Sequence, residues 1–290
     1  MDESRSRVWR KIGCFYLLTL LFSGVFNALI LHAGKMDVGN LLFVTGAMWS
    51  PGVAAFATKK IFSESVRDLP WRWGGNTNAW LGYLIPIVYA APVYLFVWLT
   101  GLGAFNRSRL ATIAQEFRWN NLPPIVTLVG FVLLTASVGL IPKLSRALGE
   151  EIGWRGFLVP ELSKVAHFPM VGLVSGLMWA VYHYPVLLFA DYNAGGPAWY
   201  SLVCFTLMVV ADSYILAWLT LRSNSLWPAA ILHASHNLFV QSIFTPLTSD
   251  TGPTKFIIDE FGIGMVVTIG VAAAVICFSV RSAAEACPKR

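Results

Sequence analysis

A succession of apolar runs, each about as long as a membrane is thick, constrains this chain more than any other feature. The runs cover roughly residues 12–33, 39–58, 78–101, 123–147, 169–190, 198–221, 225–245 and 260–280. A bilayer core about 30 Å thick is crossed by about 20 residues of helix. Inside lipid every backbone polar group must be satisfied within the segment or in a closed barrel. Long runs without alternation therefore predict an all-α, polytopic transmembrane helical bundle of about eight spans. Only 12% of the 290 residues are charged, about half the fraction of a soluble domain.

The net charge of +6 fits basic loops at a membrane surface and gives no reason to invoke nucleic acid. With the N-terminus inside, 13 Lys and Arg, from Arg5 through Lys59, Arg72, Lys164 and Arg222 to Arg290, face the cytoplasm. Only 5 (Lys35, Arg107, Arg109, Arg118 and Lys255) face outward, while Lys143, Arg146 and Arg155 have no assigned depth. The bias predicts an N-in, C-in, multi-pass protein of the cell membrane with cytoplasmic termini. The apolar run from Ile12 to about Leu31 exceeds the ~7–15 residues of a signal-peptide core, so it reads as a retained first span. Cys14, Cys204, Cys277 and Cys287 show no metal-binding spacing and read as small packing residues.

Three divisions follow: N-terminal helices over residues 1–122, a core over 123–245 that carries the unusual polar residues, and a last span with a short tail over 246–290. Gly172 and Gly176 form a small-xxx-small pair suited to close helix packing. Ser225 and Pro228 mark a helix start, with a capping hydroxyl and a first-turn proline.

The core holds groups that are expensive beside lipid, at about 2.5–3.5 kcal/mol per charge on insertion scales. Glu150-Glu151-x-x-x-Arg155 comes first. Glu151 and Arg155 are spaced i, i+4 with the acid leading, the favoured order for an ion pair. Glu150 lies about 100° around the helix and is left without that partner. A single buried salt bridge needs only one of these acids. Trp179-x-x-x-His183 follows, with Trp179 one turn below His183 and able to wall the same pocket. Pro185 just beyond removes a backbone donor. The third group is His233-Ala234-Ser235-His236-Asn237, in which His233 and Asn237 share a helix face. The first group has a plainer reading as acids serving a buried salt bridge, and the second and third as interhelix polar contacts. Asp212 is a fourth intramembrane acid, with Arg222, a histidine or a backbone group as its candidate partner.

Taken in order, Glu-Glu-x-x-x-Arg, aromatic-x-x-x-His and His-x-x-x-Asn resemble the type II CAAX prenyl endopeptidases and bacteriocin-processing proteins, a family of glutamic-type intramembrane proteases. The resemblance covers roughly residues 125–245. Trp154 and Trp179 stand where the family often has Phe. The resemblance implies that Glu150 and His183 activate a water, that His233 and Asn237 stabilise the oxyanion, and that Glu151 and Arg155 support the site. It implies membrane lipids and a peptide or prenylated protein as partners, and no cofactor.

The residues support this chemistry independently. Peptide hydrolysis needs an activated water, a proton for the leaving amine and donors for the oxyanion. Neither a GxSxG nor an HExxH motif is present. Glu150, His183 and His233 are acceptable zinc ligands by type, so a metal-dependent variant is the lesser alternative. Two other classes compete: a proton-coupled transporter using Glu150 or Asp212, and a non-catalytic binding or bacteriocin-immunity protein. A shared site also requires a shared depth. It predicts that the fourth span continues as one long helix to about Phe157, with the site in the cytoplasmic half of the membrane and open to water from that side.

Overall fold

The computed structural model describes residues 3–33, 41–190 and 192–286. Lys35, Cys287, Lys289 and Arg290 lie outside the described residues. The chain is almost entirely helical. Its elements are α1 (Glu3–Ala33), α2 (Leu41–Ile61), α3 (Asn76–Thr100), β1 (Gly103–Phe105), α4 (Arg107–Glu116), α5 (Pro124–Ser137), α6 (Leu140–Glu151), α7 (Val159–Ser163), α8 (Phe168–Phe189), α9 (Ala198–Ser223), α10 (Trp227–Leu238), β2 (Thr248–Asp250) and α11 (Ile263–Ala286). Two π-helical segments, Ile152–Leu158 and Phe239–Phe244, extend α6 and α10.

Seven helical runs among the described residues are long and apolar enough to cross a membrane. The fourth runs over Pro124–Ser163 with a turn at Val138 and Gly139 between α5 and α6, so the predicted extension beyond Lys143 is present. The segment over 225–245 is helical from Trp227 to Phe244. His233, His236, Asn237 and Gln241 make it too polar to count as a span by hydropathy alone. It forms the centre of the bundle, packed against α3, α6 and α9, and every residue from Pro228 to His236 is buried. Large apolar side chains such as Leu42, Val88, Leu99, Phe189 and Phe278 point outward, as a lipid-facing surface requires.

The glycine pair on α8 serves α9. A Cβ at Gly176 would stand 2.7 Å from the Val210 Cα, and one at Gly172 would overlap the Tyr214 ring. Ser225 caps the start of α10 by accepting from the Trp227 amide at 3.1 Å. The polar stretch over 103–121 folds into β1 and α4, and β1 pairs antiparallel with β2, Ala104 opposite Ser249. Three-residue strands are too short to show an alternating pattern, so the all-α reading did not foresee this ribbon.

At the N-terminal end the basic residues do more than anchor loops. Lys11 reaches Glu161 at 2.7 Å and Glu64 at 2.8 Å, and Lys59 reaches Glu64 at 2.9 Å. Lys11, Lys59 and Glu161 are buried, so this cluster ties α1, α2 and α7 together. Burial pushes the Glu64 carboxyl up, but hydrogen bonds and charge from Lys11 and Lys59 outweigh it and leave Glu64 below its ordinary 4.5. A depressed folded-state pKa contributes stability above the unfolded value, and that stability is lost as pH falls through the folded value. Thermal melts in detergent are expected to show midpoints falling as pH drops below about 4.5, with a smaller fall in Glu64→Gln. An equal fall in both proteins would contradict the assignment.

Candidate active site

The motif helix α6 reaches its place because α2 comes unusually close. A Cβ on Gly149 would lie 2.6 Å from the Trp49 Cγ, and one on Gly153 would lie 2.5 Å from the Pro51 Cβ. Directly after Glu151 the backbone widens into the first π-helical segment; the second begins two residues after Asn237. π-Helical turns are rare and recur at functional sites, and here they border the first and third motifs.

Glu150 and Glu151 are both fully buried and do different work. Glu151 Oε1 accepts from the Arg155 guanidinium at 2.9 Å and from His233 Nδ1, also at 2.9 Å. Arg155 donates onward to Ser213 Oγ at 3.1 Å. Glu150 Oε2 accepts from the Trp179 indole at 2.6 Å, and Oε1 makes no hydrogen bond to a described residue. Trp179 is therefore more than a pocket wall. Its face covers Arg155 at 4.1 Å, and its ring centroid lies 5.3 Å from that of His233 and 5.9 Å from that of His183. It is the hub joining the first, second and third motifs.

His183 donates from Nδ1 to the Trp179 carbonyl at 2.9 Å. A carbonyl only accepts, so this bond fixes the proton on Nδ1 and leaves Nε2 with a lone pair in the neutral ring. His233 has its Nδ1 occupied by Glu151, which leaves Nε2 for other partners. Glu150, Trp179, His183, His233 and Asn237 all line one cavity of about 190 Å³, large enough for several ordered waters. Glu151 and Arg155 sit behind it. Among the described residues no three His, Cys, Asp or Glu side chains are grouped to hold a metal ion.

Asp212 lies on the same cavity, buried, with Oδ1 unpartnered. Arg222, one of its expected partners, instead lies over the Trp218 ring at 5.0 Å. His236 bonds the Tyr89 hydroxyl through Nδ1 at 2.7 Å, and its Nε2 lies 3.2 Å from Glu260 Oε1. Glu260 also accepts from Gln241 at 2.8 Å and from Tyr192. Sequence reasoning passed over Tyr89, Tyr192, Gln241 and Glu260. Their only sequence signal is polarity close to apolar runs.

The expected depth and the expected orientation conflict. The cavity is lined by Ile30 late in α1, Val44 early in α2, Val186 late in α8, Phe205 early in α9, and Tyr192 and Glu260 in loops. All these positions share the bundle end opposite the N-terminus. The basic residues Lys11, Lys59, Lys164 and Arg222 mark the other end. An inward N-terminus and a site in the cytoplasmic half thus exclude each other in this fold. Counting depth from the start of α10 misled because that start is itself sunk below the surface. The Leu226 amide donates to the Pro70 carbonyl, and the Trp227 indole to the Trp71 carbonyl.

Fold and site together define a polytopic helical membrane protein with a buried glutamate–histidine centre. Residues 125–239, less than half of the chain, match the model of the family described as type II CAAX prenyl endopeptidase Rce1-like. No curated protein matches the chain.

Proposed function

We propose that the protein is an intramembrane endopeptidase that hydrolyses peptide bonds of membrane-associated substrates, with Glu150 as the base. The observation that carries this reading is the convergence of Glu150, His183, His233 and Asn237 on one cavity. Glu150 takes a proton from a water that His183 Nε2 orients by accepting its other hydrogen. The resulting hydroxide attacks the scissile carbonyl carbon. The oxyanion that forms is held by the Asn237 amide and by His233 as the imidazolium, which donates from Nε2 to the oxyanion and from Nδ1 to Glu151. Glu150 then passes its proton to the leaving nitrogen as the C–N bond breaks, which yields a carboxylic acid, still carrying the water's second hydrogen, and a free amine. Arg155 pairs with Glu151 and holds it in place, so Glu150 is not needed as a structural counter-ion.

The charge bias between the two ends supports an inward N-terminus, the orientation in which the cavity opens in the outer half of the membrane. CAAX-type prenylated C-terminal peptides are one substrate class to test beside unprenylated ones. Purified protein in liposomes, given both kinds of peptide, is expected to produce fragments detectable by mass spectrometry. Cleavage should persist in excess chelator if glutamate rather than zinc drives the reaction. Loss of cleavage on chelation, restored by zinc, would replace the glutamate mechanism with the metal one.

A further inference from the structure

A second cavity, of about 580 Å³, opens at the bundle end that carries the N-terminus, away from Glu150. Three connections wall it: the α2–α3 loop with Arg67, Asp68 and Arg72, the short helix α7 with Lys164 after it, and Asn224 between α9 and α10. Lys11, Lys59 and Lys164 are taken up by Glu64 and Glu161 at 2.7–2.9 Å. The Asp68 carboxylate accepts from the Ser65 amide at 3.2 Å. The guanidinium groups of Arg67 and Arg72 are left over: neither makes a hydrogen bond or ion pair with any described residue. Glu161 Oε2 is unpartnered too, but it is wholly buried and is not presented to the cavity. The cavity and the lysine behind it thus carry five cations against three acids, an excess of two positive charges.

Both arginines stand on a braced loop. The Arg67 amide donates to Ser65 Oγ at 3.1 Å in a capped turn. The Arg72 carbonyl accepts from the Ser225 hydroxyl, and the Pro70 and Trp71 carbonyls accept from the Leu226 amide at 3.0 Å and the Trp227 indole at 2.9 Å. Cations fixed in this way are preorganised for an anion, which lowers the ordering cost of binding it. Ile61, Val66 and Trp73 are exposed beside them, and the Trp73 and Trp227 rings lie 6.3 Å apart. Tryptophans collect at the headgroup level of a bilayer, so the anion this loop meets is one with acyl chains attached.

We propose that this cavity binds the phosphate of an anionic phospholipid, with Arg67 and Arg72 as its donors. Guanidinium groups give paired, charge-assisted hydrogen bonds to phosphate oxygens, and the exposed apolar side chains beside them take the acyl chains. The site does not depend on the proteolytic reading of the other cavity.

For the test, protein in a neutral detergent is mixed with phosphatidylglycerol, with phosphatidylcholine of the same acyl chains, or with inorganic phosphate. Retained lipid is counted by native mass spectrometry, and thermal midpoints are recorded in parallel. Phosphatidylglycerol is expected to stay bound and to raise the midpoint, as a ligand of the folded state does, while phosphatidylcholine does neither. Its affinity should fall at least about tenfold when Arg67→Gln and Arg72→Gln are combined, and largely survive Arg67→Lys with Arg72→Lys. Equal retention of the two lipids by the wild type overturns the proposal, and that comparison needs no variant. An equal loss in Arg107→Gln with Arg118→Gln, two exposed arginines at the other end of the bundle, also overturns it, because lipid would then be collecting on basic surface at large. Inorganic phosphate that displaces the lipid and reproduces the whole midpoint shift overturns the lipid assignment in favour of a soluble phosphate.

Discussion

Replacing Glu150 by alanine is expected to lower kcat by about 10²–10⁴, the usual contribution of a positioned general base, while the protein stays folded. Glu150 accepts one hydrogen bond, from the Trp179 indole, and belongs to no ion pair among the described residues. Its removal leaves one unsatisfied indole N–H and a small void, at a cost of about 1–3 kcal/mol for the lost partner. The thermal midpoint should therefore drop modestly while hydrolysis nearly disappears. Cleavage that survives the substitution would refute Glu150 as the base, and a collapsed fold would reassign it to structure. Glu150→Gln should be as inactive with a smaller loss of stability, because its carbonyl oxygen can still accept from Trp179.

Arg155→Leu should show the opposite profile. Arg155 and Glu151 are both wholly buried, 2.9 Å apart. Breaking a buried pair from one side typically costs about 3–5 kcal/mol, because the remaining charge loses its counter-ion. Here Glu151 would be left with His233 alone, and the face of Trp179 would lose the cation it covers. Denaturant or thermal unfolding in micelles should show a large loss of stability for Arg155→Leu and an intermediate one for Arg155→Lys, which restores charge without the planar fork. A variant that melts with the wild type would mean that Glu151 is neutral or finds another partner.

The different outcomes expected for adjacent acids were partly legible in the sequence. The i, i+4 spacing identified Glu151 as the partner of Arg155, and the 100° helical step identified Glu150 as the acid left over. Spacing could not reveal that Glu151 also orients His233, 82 residues away, because that contact exists only once α10 is centred between α3, α6 and α9. Trp179 read as a wall because an indole N–H is only worth invoking when an acceptor is known to face it. Lys143 and Arg146 were visible as charges but had no depth. The helical run Pro124–Ser163 gives them one, beside the cavity. An inward N-terminus and a site in the cytoplasmic half were expected together because helix starts served as a ruler for the bilayer surface, and α10 starts beneath a loop.

The central claim is that Glu150 and His183 act on one water as a single device. A double-mutant cycle on kcat/KM with Glu150→Ala and His183→Ala tests this most directly. Residues that work as a unit are strongly non-additive, so the double variant should be about as slow as the slower single variant. Losses that multiply, with the double variant slower by the product of the two single effects, would show that the two side chains act independently and would contradict the shared site.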